Sequence, residues 1–427
     1  MTTENHSAAK TALPLVLGGF DLTDHAGFAD GIPYELFARL RREAPLLRHP
    51  AGQMPDGEGF WVLTRHADIA AASADPVFSS QGGGGRAGGG SHLEDLPVGG
   101  GLTGTVLAMM DSPRHDVFKD LLAPAVTGRV IAAMEPELRA RAEALADRAV
   151  AGGKADLVDD YSEPFSLQSV ALLLGIPAAD WPQLTSWVHE VLGFTDRRTG
   201  RATEHSRQTY TDLRGYFSGL LAAKRLDPAD DLGSVLALAE LPEGSGQPPL
   251  TEVEREANTS VMLVSGFEQP RNTIAGGLLA FAQNPDQWRE LRADRSLLPT
   301  AVEEVLRWLP ANPYNRRTLT RDVELHDRQM RAGDKVTLWW PSANRDETVF
   351  ADPEHFDIRR DPNPHLSFGA GTHYCLGDAF GRLEIRLALE ALLDRVEEIR
   401  PAGPEVWAPN NKHTVLLDVP VELVPAP

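Results

Sequence analysis

Cysteine is the scarcest residue of this 427-residue chain, which contains one, Cys375. A single thiol excludes a disulfide framework and a zinc site built from several cysteines. This composition is typical of proteins in a reducing compartment, so we expect a cytoplasmic protein. Any thiol chemistry must come from this one residue.

Basic residues are also in short supply. The chain has 41 lysines and arginines against 61 aspartates and glutamates, which gives a formal net charge of -20. This negative charge argues against nucleic acids and anionic membrane surfaces as partners. No apolar run is long enough to span a bilayer, and no signal peptide is recognisable near the N-terminus. We therefore expect no membrane attachment.

The remaining composition is that of an ordinary globular protein, with 42% apolar and 24% charged residues. The length allows a large core. Amphipathic stretches separated by short breaks fill the middle of the chain, which predicts a mostly helical structure. Residues 1–20 are small and polar with little periodicity. We expect them to form a flexible arm, followed by one domain over 21–427.

The most informative stretch is FGAGTHYCLGDAFGRLE, residues 368–384, which contains the cysteine. Its glycines allow a tight loop and leave space beside the sulfur. A helical pattern starts at Leu376, so Cys375 is predicted where a loop enters a helix N-terminus. Unpaired N–H groups and the helix dipole there favour a thiolate over a thiol. An accessible thiolate suits an iron ligand, although a lone cysteine is more often an inert core residue.

The spacing of Phe368, Gly371, His373, Cys375 and Gly377 resembles FxxGxHxCxG, the haem-ligand signature of the cytochrome P450 family. The resemblance implies a mainly α, single-domain cytochrome P450 fold with small β-sheets. It also implies that Cys375 is the axial ligand of haem b iron, where a thiolate favours O–O cleavage. Further haem contacts are implied for Phe368, Gly369 and Gly377.

The resemblance also implies ligands for the two haem propionates. The predicted propionate ligands are His115, Lys119, Arg317 and His373. Lys119 stands where the family has an arginine, so it keeps the charge but loses the bidentate fork. We expect weaker positioning of the haem rather than loss of binding.

A structural clamp is implied by Glu304 and Arg307, three residues apart on a predicted helix, and by Arg360 in the following proline-rich segment. Taken alone, such a pair is usually a solvated ion pair of little value. The order of these motifs before the cysteine loop resembles the family's buried triad, which locks the loop that bears Cys375.

The predicted distal helix begins at Thr251, which forms a capping box with Glu254. Further along it carries Pro270, which removes one N–H and frees the carbonyl of Gly266. We expect a kink there and a polar notch beside the glycine.

The distal helix departs from the family at one position. Gln269 replaces the threonine that the family uses to deliver protons, whereas the acidic residue before it is kept as Glu268. One hypothesis is that Gln269 and the Gly266 carbonyl hold a water that relays protons from Glu268. The alternative is that Gln269 only packs and that the substrate supplies the protons.

Other expectations concern loops and the pocket. Glycines at 82–85, 88–90 and 99–101 lack the context of a phosphate-binding loop and predict a mobile loop. The polar piece 193–206 resembles the family's loop that opens and closes over substrate. Candidate apolar walls of the pocket, each of which could equally be plain core, are Met109, Met110, Val264 and Phe267.

The resemblance implies a bacterial monooxygenase that hydroxylates a hydrophobic small molecule, in natural-product tailoring or in steroid or isoprenoid metabolism. Electrons would come from NAD(P)H through a ferredoxin reductase and a ferredoxin. The ferredoxin would dock at a local basic patch of Lys119, Arg382 and Arg386, and the protein is expected to be a monomer. Two alternatives stay open: oxidative coupling or group transfer without oxygen insertion, and a haem-binding sensor or carrier without turnover.

Overall fold

The computed structural model of the protein describes residues 13–98, 102–126, 128–192, 195–196 and 203–427. Helices predominate in these ranges. They are, in chain order, α1 (Tyr34–Glu43), α2 (His66–Ala74), α3 (Arg114–Leu122), α4 (Arg129–Gly152), α5 (Glu163–Leu173), α6 (Trp181–Glu190), α7 (Glu204–Leu226), α8 (Leu232–Leu238), α9 (Glu252–Gln283), α10 (Pro285–Ala293), α11 (Leu298–Trp308), α12 (Trp340–Ala343) and α13 (Asp378–Leu393).

The strands are short and belong to small sheets. They are β1 (Leu46–His49), β2 (Phe60–Leu63), β3 (Phe78–Ser79), β4 (Gly88–Gly89), β5 (Leu96–Pro97), β6 (Lys154–Asp156), β7 (Val191–Leu192), β8 (Thr195–Asp196), β9 (Tyr314–Leu319), β10 (Val323–Leu325), β11 (Arg328–Met330), β12 (Lys335–Trp339), β13 (Val396–Pro401), β14 (Val406–Trp407), β15 (Leu416–Asp418) and β16 (Pro420–Pro425). The mainly helical structure with small sheets confirms the predicted fold class.

The largest sheet has the strand order β1-β2-β12-β9-β3, and only the β2–β12 pair is parallel. Strand β2 is apolar throughout because both faces of this sheet are covered. Phe60 packs into one apolar cluster with α1, whereas Trp61 packs into another with α2. A second sheet joins β13, β16 and β6, and the other strands form two-stranded ribbons.

Helix α9 is the central element of the helical part. It begins at a capping box in which Thr251 and Glu254 each satisfy the other's backbone N–H, and it spans 32 residues. Helices α5, α7, α11 and α13 all pack against it. The helix continues through Pro270 without a break. Most of its middle is therefore buried in the main apolar core, which α4, α5, α11 and α13 complete.

Two expectations change at this level. Leu17 is fully buried in the apolar cluster beside α1, so the packed chain begins before residue 21. The glycine-rich run from residue 82 to 90 is not a free loop, because its backbone packs against the turn at Gly333 and forms β4. Glycines 99–101 and most of the 193–206 piece lie outside the described residues.

Of the helices in the described ranges, none combines the length and the apolar character needed to cross a lipid bilayer.

Two neighbouring glycines of the run 82–90 differ in how closely the surrounding backbone approaches them. Both have positive φ, +61° at Gly84 and +83° at Gly85. A Cβ at Gly84 would collide with the backbone of Leu319 and Gly333, whereas a Cβ at Gly85 would meet open space. We expect Gly85→Ala to cost about 1–2 kcal/mol through its left-handed backbone. Gly84→Ala should cost about 1–3 kcal/mol more.

The measurement is the midpoint of thermal unfolding of the two variants and the parent protein. Equal midpoints for the two variants would contradict the packed arrangement of this run.

Candidate active site

Cys375 lies in a loop that immediately precedes α13. Its backbone N–H donates to the carbonyl of Phe368 at 2.8 Å, which closes the loop. The side chain of Cys375 has accessible surface, although it lies deep within the fold and protein surrounds it. An accessible group at such depth lines an internal cavity. The thiol is thus available to a ligand inside the protein.

The thiol itself differs from the expectation. Burial raises the pKa of Cys375, and this effect outweighs the Gly377 N–H and the nearby charges of Lys119 and Arg382. The reason is that α13 begins only at Asp378, three residues later, so its N-terminus compensates little for desolvation. The protein alone therefore keeps this sulfur as a thiol. A coordinated metal ion would remove the proton.

The glycines of the loop have separate roles. Gly371 has φ +64°, and a Cβ there would collide with the backbone at the end of α2, so it allows the loop to pack on that helix. Gly377, two residues after the cysteine, has no atom within 4 Å of its Cβ direction. Gly369 is almost as open, with one carbonyl at 3.5 Å. Glycine thus leaves clearance on both sides of Cys375, which a flat cofactor needs.

Basic side chains from three parts of the chain meet beside this loop. The rings of His115 and His373 are 4.2 Å apart. Burial lowers the pKa of His373 to about 2, and Arg317, His115 and Lys119 lower it further. Burial also lowers the pKa of Arg317 to about 10, with Asp111 as the opposing charge. The cluster has more donors than nearby carboxylates, so it fits a buried group that carries carboxylates, as the haem propionates do.

Lys119 has a second task that the sequence does not reveal. Its Nζ donates to the carbonyls of Thr372 at 2.8 Å and Tyr374 at 2.7 Å, both in the turn that immediately precedes Cys375. Two of its three N–H groups are used on the protein itself. The lysine therefore braces the loop from α3.

The predicted clamp is present as a buried network. Arg307 forms two hydrogen bonds of 2.7 Å with the two oxygens of Glu304, and both side chains are fully buried. Arg360 adds a third contact at 3.2 Å, and Asn363 donates to the same carboxylate. Arg307 also donates to carbonyls of the following segment, including that of His355. This network fixes the segment that leads directly into the cysteine loop.

The distal helix carries one accessible stripe. Val261, Ser265 and Gln269 recur at four-residue intervals, and all three retain accessible surface, whereas Leu263, Phe267 and Glu268 on the other faces are buried. Ser265 is the most exposed residue in the middle of α9. A stripe of this kind on a central helix faces an internal cavity. Ser265 is absent from the residues predicted above, although its spacing of four from Gln269 could have identified it.

Glu268 and Gly266 occupy other faces. Glu268 Oε1 accepts from Asn272 at 2.7 Å and from Arg271 at 3.4 Å, so it belongs to a buried polar network. A Cβ at Gly266 would lie 2.7 Å from Val170. The glycine therefore lets α5 approach α9, so the missing side chain makes room for Val170 and not for a ligand.

The four predicted pocket walls divide unequally. Phe267 and Met110 are each 1% exposed and belong to the main core, so neither is available to a substrate in this structure. Met109 is also buried, in a small cluster that packs against α9. Val264 keeps some accessible surface and contacts the segment between β14 and β15.

The expected basic patch on the surface is compensated by acids. Arg382 pairs with Glu303 at 2.7 Å and with Asp378 at 2.6 Å. Arg386 pairs with Glu135 and Glu390. These arginines therefore present little net positive charge, which corrects the prediction.

Comparisons with known proteins agree with this geometry. The family model described as Cytochrome P450 matches residues 221–421. The chain is 43% identical over 414 residues to "Putative cytochrome P450 126" of Mycobacterium tuberculosis, covering 95% of this chain and 98% of that protein. It is 33% identical over 408 residues to "Linalool 8-monooxygenase" of Pseudomonas putida, covering 95% and 99%. Among solved structures, Mycobacterium marinum cytochrome P450 CYP268A2 in complex with pseudoionone is similar at a TM-score of 0.85 and 30% identity, covering 97% and 100%.

The buried clamp gives a sharp prediction because a neighbouring glutamate serves as control. Glu304→Ala leaves two buried guanidinium groups without their acid, which should cost about 3–5 kcal/mol. Glu303→Gln removes a half-exposed partner of Arg382 and should cost about 1 kcal/mol or less. We expect Glu304→Ala to give little folded, haem-loaded protein and Glu303→Gln to give normal amounts.

Yield, haem content and the thermal midpoint of both variants check this. Normal haem loading and stability in Glu304→Ala would rule out the clamp.

Proposed function

Because the chain belongs to the cytochrome P450 family, we propose that it hydroxylates an apolar small molecule at an unactivated C–H bond. It is an oxidoreductase of the monooxygenase type, as its characterised relatives are. In balance, a substrate RH, dioxygen, two electrons and two protons give ROH and water. The observation that carries the proposal is the accessible thiol of Cys375, which lies deep in the fold beside the buried basic side chains of His373 and Arg317.

These residues fit haem. Cys375 would hold the iron, and His115, Arg317 and His373 would receive the propionates, with Lys119 bracing the loop between them. When bound, the haem supplies the redox chemistry that activates dioxygen. The thiolate would increase the electron density on the iron, which favours O–O cleavage. The protein contributes orientation and exclusion of water. The Glu304 clamp fixes the segment before the cysteine loop, and Lys119 fixes the turn immediately before the sulfur.

Protons are the second task of the protein. The accessible stripe of α9 places the Gln269 amide and the Ser265 hydroxyl on one face. Both groups can donate and accept hydrogen bonds, so both can hold a water. Pro270 leaves the Gly266 carbonyl without its helical donor, which offers a further acceptor. In this scheme Glu268 supplies the proton only after its bonds to Asn272 and Arg271 rearrange.

The proposed substrates are apolar molecules with branched carbon skeletons, of the isoprenoid or steroid type. The relatives "Methyl-branched lipid omega-hydroxylase" (37% identical) and "Steroid C26-monooxygenase" (34% identical) of Mycobacterium act on such skeletons by name. A natural-product substrate is equally compatible with the pocket. Gln269 in place of a hydroxyl also favours a second candidate, oxidative coupling or group transfer, because those reactions ask less of a proton relay.

Electrons are proposed to come from NAD(P)H through a reductase and a ferredoxin. The compensated arginines Arg382 and Arg386 change how such docking must work. An acidic partner would have to exchange its carboxylates for those of Glu303 and Glu135, rather than meet an open positive surface. We therefore expect a salt-dependent but weak complex.

The first test is the carbon monoxide difference spectrum of the reduced, haem-loaded protein. We expect the strongly red-shifted band of thiolate-bound haem iron in the parent protein. Cys375→Ser should lose that band, because a serine hydroxyl does not replace a thiolate ligand. Dioxygen-dependent consumption of NADPH, with surrogate ferredoxin partners and an isoprenoid alcohol such as farnesol, tests turnover. A spectrum of Cys375→Ser that matches the parent protein would contradict the assignment of Cys375 as the ligand of the haem iron.

The second test concerns Gln269. If its amide holds the relaying water, Gln269→Ala should raise several-fold the share of consumed electrons that appears as hydrogen peroxide. Gln269→Thr, which restores a hydroxyl, should keep that share near the parent value. Val261→Ala is the control, since it alters the same stripe without removing a polar group.

Peroxide formation is measured against NADPH consumed. Unchanged values in both Gln269 variants would eliminate the relay and leave Gln269 as a packing residue.

A further inference from the structure

A buried basic cluster lies at the end of the molecule where the segment 408–415, here called the hairpin tip, joins β14 to β15. Three distant parts of the chain meet there. Lys412 and His413 come from the hairpin tip, His92 comes from the segment between β4 and β5, and Tyr314 begins β9. None of these residues belongs to the predicted site.

Lys412 is the centre of this cluster. It is 6% exposed, its Nζ donates to the Tyr314 carbonyl at 2.8 Å, and it stands 4.8 Å from the centre of the Tyr314 ring. It forms no ion pair with any residue in the part of the chain that the structure describes. A buried ammonium with one acceptor for three N–H groups is costly unless an anion joins it. Burial and the charge of Arg317 accordingly lower the pKa of Lys412 to about 7.

His413 adds an unsatisfied polar atom. Its Nδ1 is buried without a hydrogen-bond partner, and its ring lies 6.4 Å from that of His92. Burial, together with Lys412, lowers the pKa of His413 to about 3, so the ring is neutral and one of its nitrogens carries a proton to donate.

The charged groups around the cluster do not neutralise it. Glu268 faces His413 from α9, but its carboxylate is bound by Asn272 and Arg271. Arg316 faces His92 and is paired with Asp95 at 2.8 Å, whereas Arg317 adds positive charge beside Lys412. Within the described residues, no carboxylate is paired with Lys412.

The hairpin tip contacts the distal helix α9. Ala408 and Val415, at its two ends, pack against Val264 of α9, next to the accessible stripe. The propionate cluster differs in position, because His115 and His373 lie beside the cysteine loop and α3. A ligand on the stripe of α9 could thus reach Lys412 with one end.

We propose that Lys412, together with His413 and His92, binds the carboxylate of an amphipathic substrate whose apolar chain extends along α9. The substrate class is a long-chain or isoprenoid acid, and oxidation falls on a carbon far from the carboxylate. The assignment rests on the proposed function and narrows its substrate class. A haem propionate is also a carboxylate, and Arg317 lies near both places, so the experiment must separate the two sources.

The experiment compares two ligands with the same alkyl chain, one a charged carboxylate and the other its uncharged methyl ester. Palmitic acid and methyl palmitate are titrated into the haem-loaded protein, and binding is followed by calorimetry and by displacement of the water on ferric iron. We expect the parent protein to prefer the acid. Lys412→Met should weaken the acid about tenfold or more and the ester less than about twofold, because only the acid loses a charge-assisted bond. Lys412→Arg should retain the preference.

His413→Phe provides a second variant of similar shape, in which the acid should weaken several-fold and the ester should not. This variant decides the matter should Lys412→Met fail to fold. Equal effects on acid and ester, or no effect on either, would overturn the subsite. Loss of haem from Lys412→Met with the acid preference intact would overturn it too and assign Lys412 to a propionate. The carbon monoxide spectrum, measured on the same samples, tests the haem-thiolate assignment separately.

Discussion

The arrangement of the active site depends on one buried carboxylate, that of Glu304. It receives both nitrogens of the Arg307 fork, the side chain of Arg360 and the amide of Asn363. The backbone N–H of Asp357 adds a second donor to Oε1, so both carboxylate oxygens are fully hydrogen-bonded, and loss of any charged partner would leave a buried charge uncompensated. The network joins α11 to an irregular segment that has no secondary structure of its own. The position of Cys375 is set by the end of that segment, so a loop acquires the rigidity that a metal ligand needs.

A second principle runs through the interior: basic side chains are buried in two clusters that contain more hydrogen-bond donors than carboxylates. His373 is neutral because of burial and because Arg317, His115 and Lys119 surround it. Lys412 has a pKa near 7 for the same kind of reason. Such clusters cost folding free energy in the protein alone, and a bound carboxylate would recover part of it. We therefore expect a bound carboxylate to raise the free energy of unfolding of this protein.

The parts of the site that can be predicted from the sequence are those in which the functional residues lie at fixed, short distances along the chain. The cysteine loop and the Glu304–Arg307 pair are local patterns, and their neighbours in sequence are neighbours in space. The predictions that failed concern properties that depend on tertiary packing and not on the spacing of residues along the chain. The thiol pKa depends on desolvation, Gly266 depends on where α5 packs, and the charge of Arg382 depends on a glutamate 79 residues away. The hairpin-tip cluster forms where three distant segments of the chain meet, so no local sequence pattern predicts it.

The distal helix shows how one local change is accommodated by its neighbours. A proline at position 270 would break an isolated helix, yet α9 continues because tertiary packing on both sides of the turn holds it. Gly266 allows α5 to lie close at the same turn, so the helix is supported where it lacks a hydrogen bond. The polar groups that remain toward the cavity are those of Ser265 and Gln269, four residues or about 6 Å apart along the axis. Two polar side chains on one face can hold a water between them, which a single hydroxyl at one position cannot do. The position at which the family has a threonine therefore stays polar here, because Gln269 occupies it and Ser265 lies four residues before it.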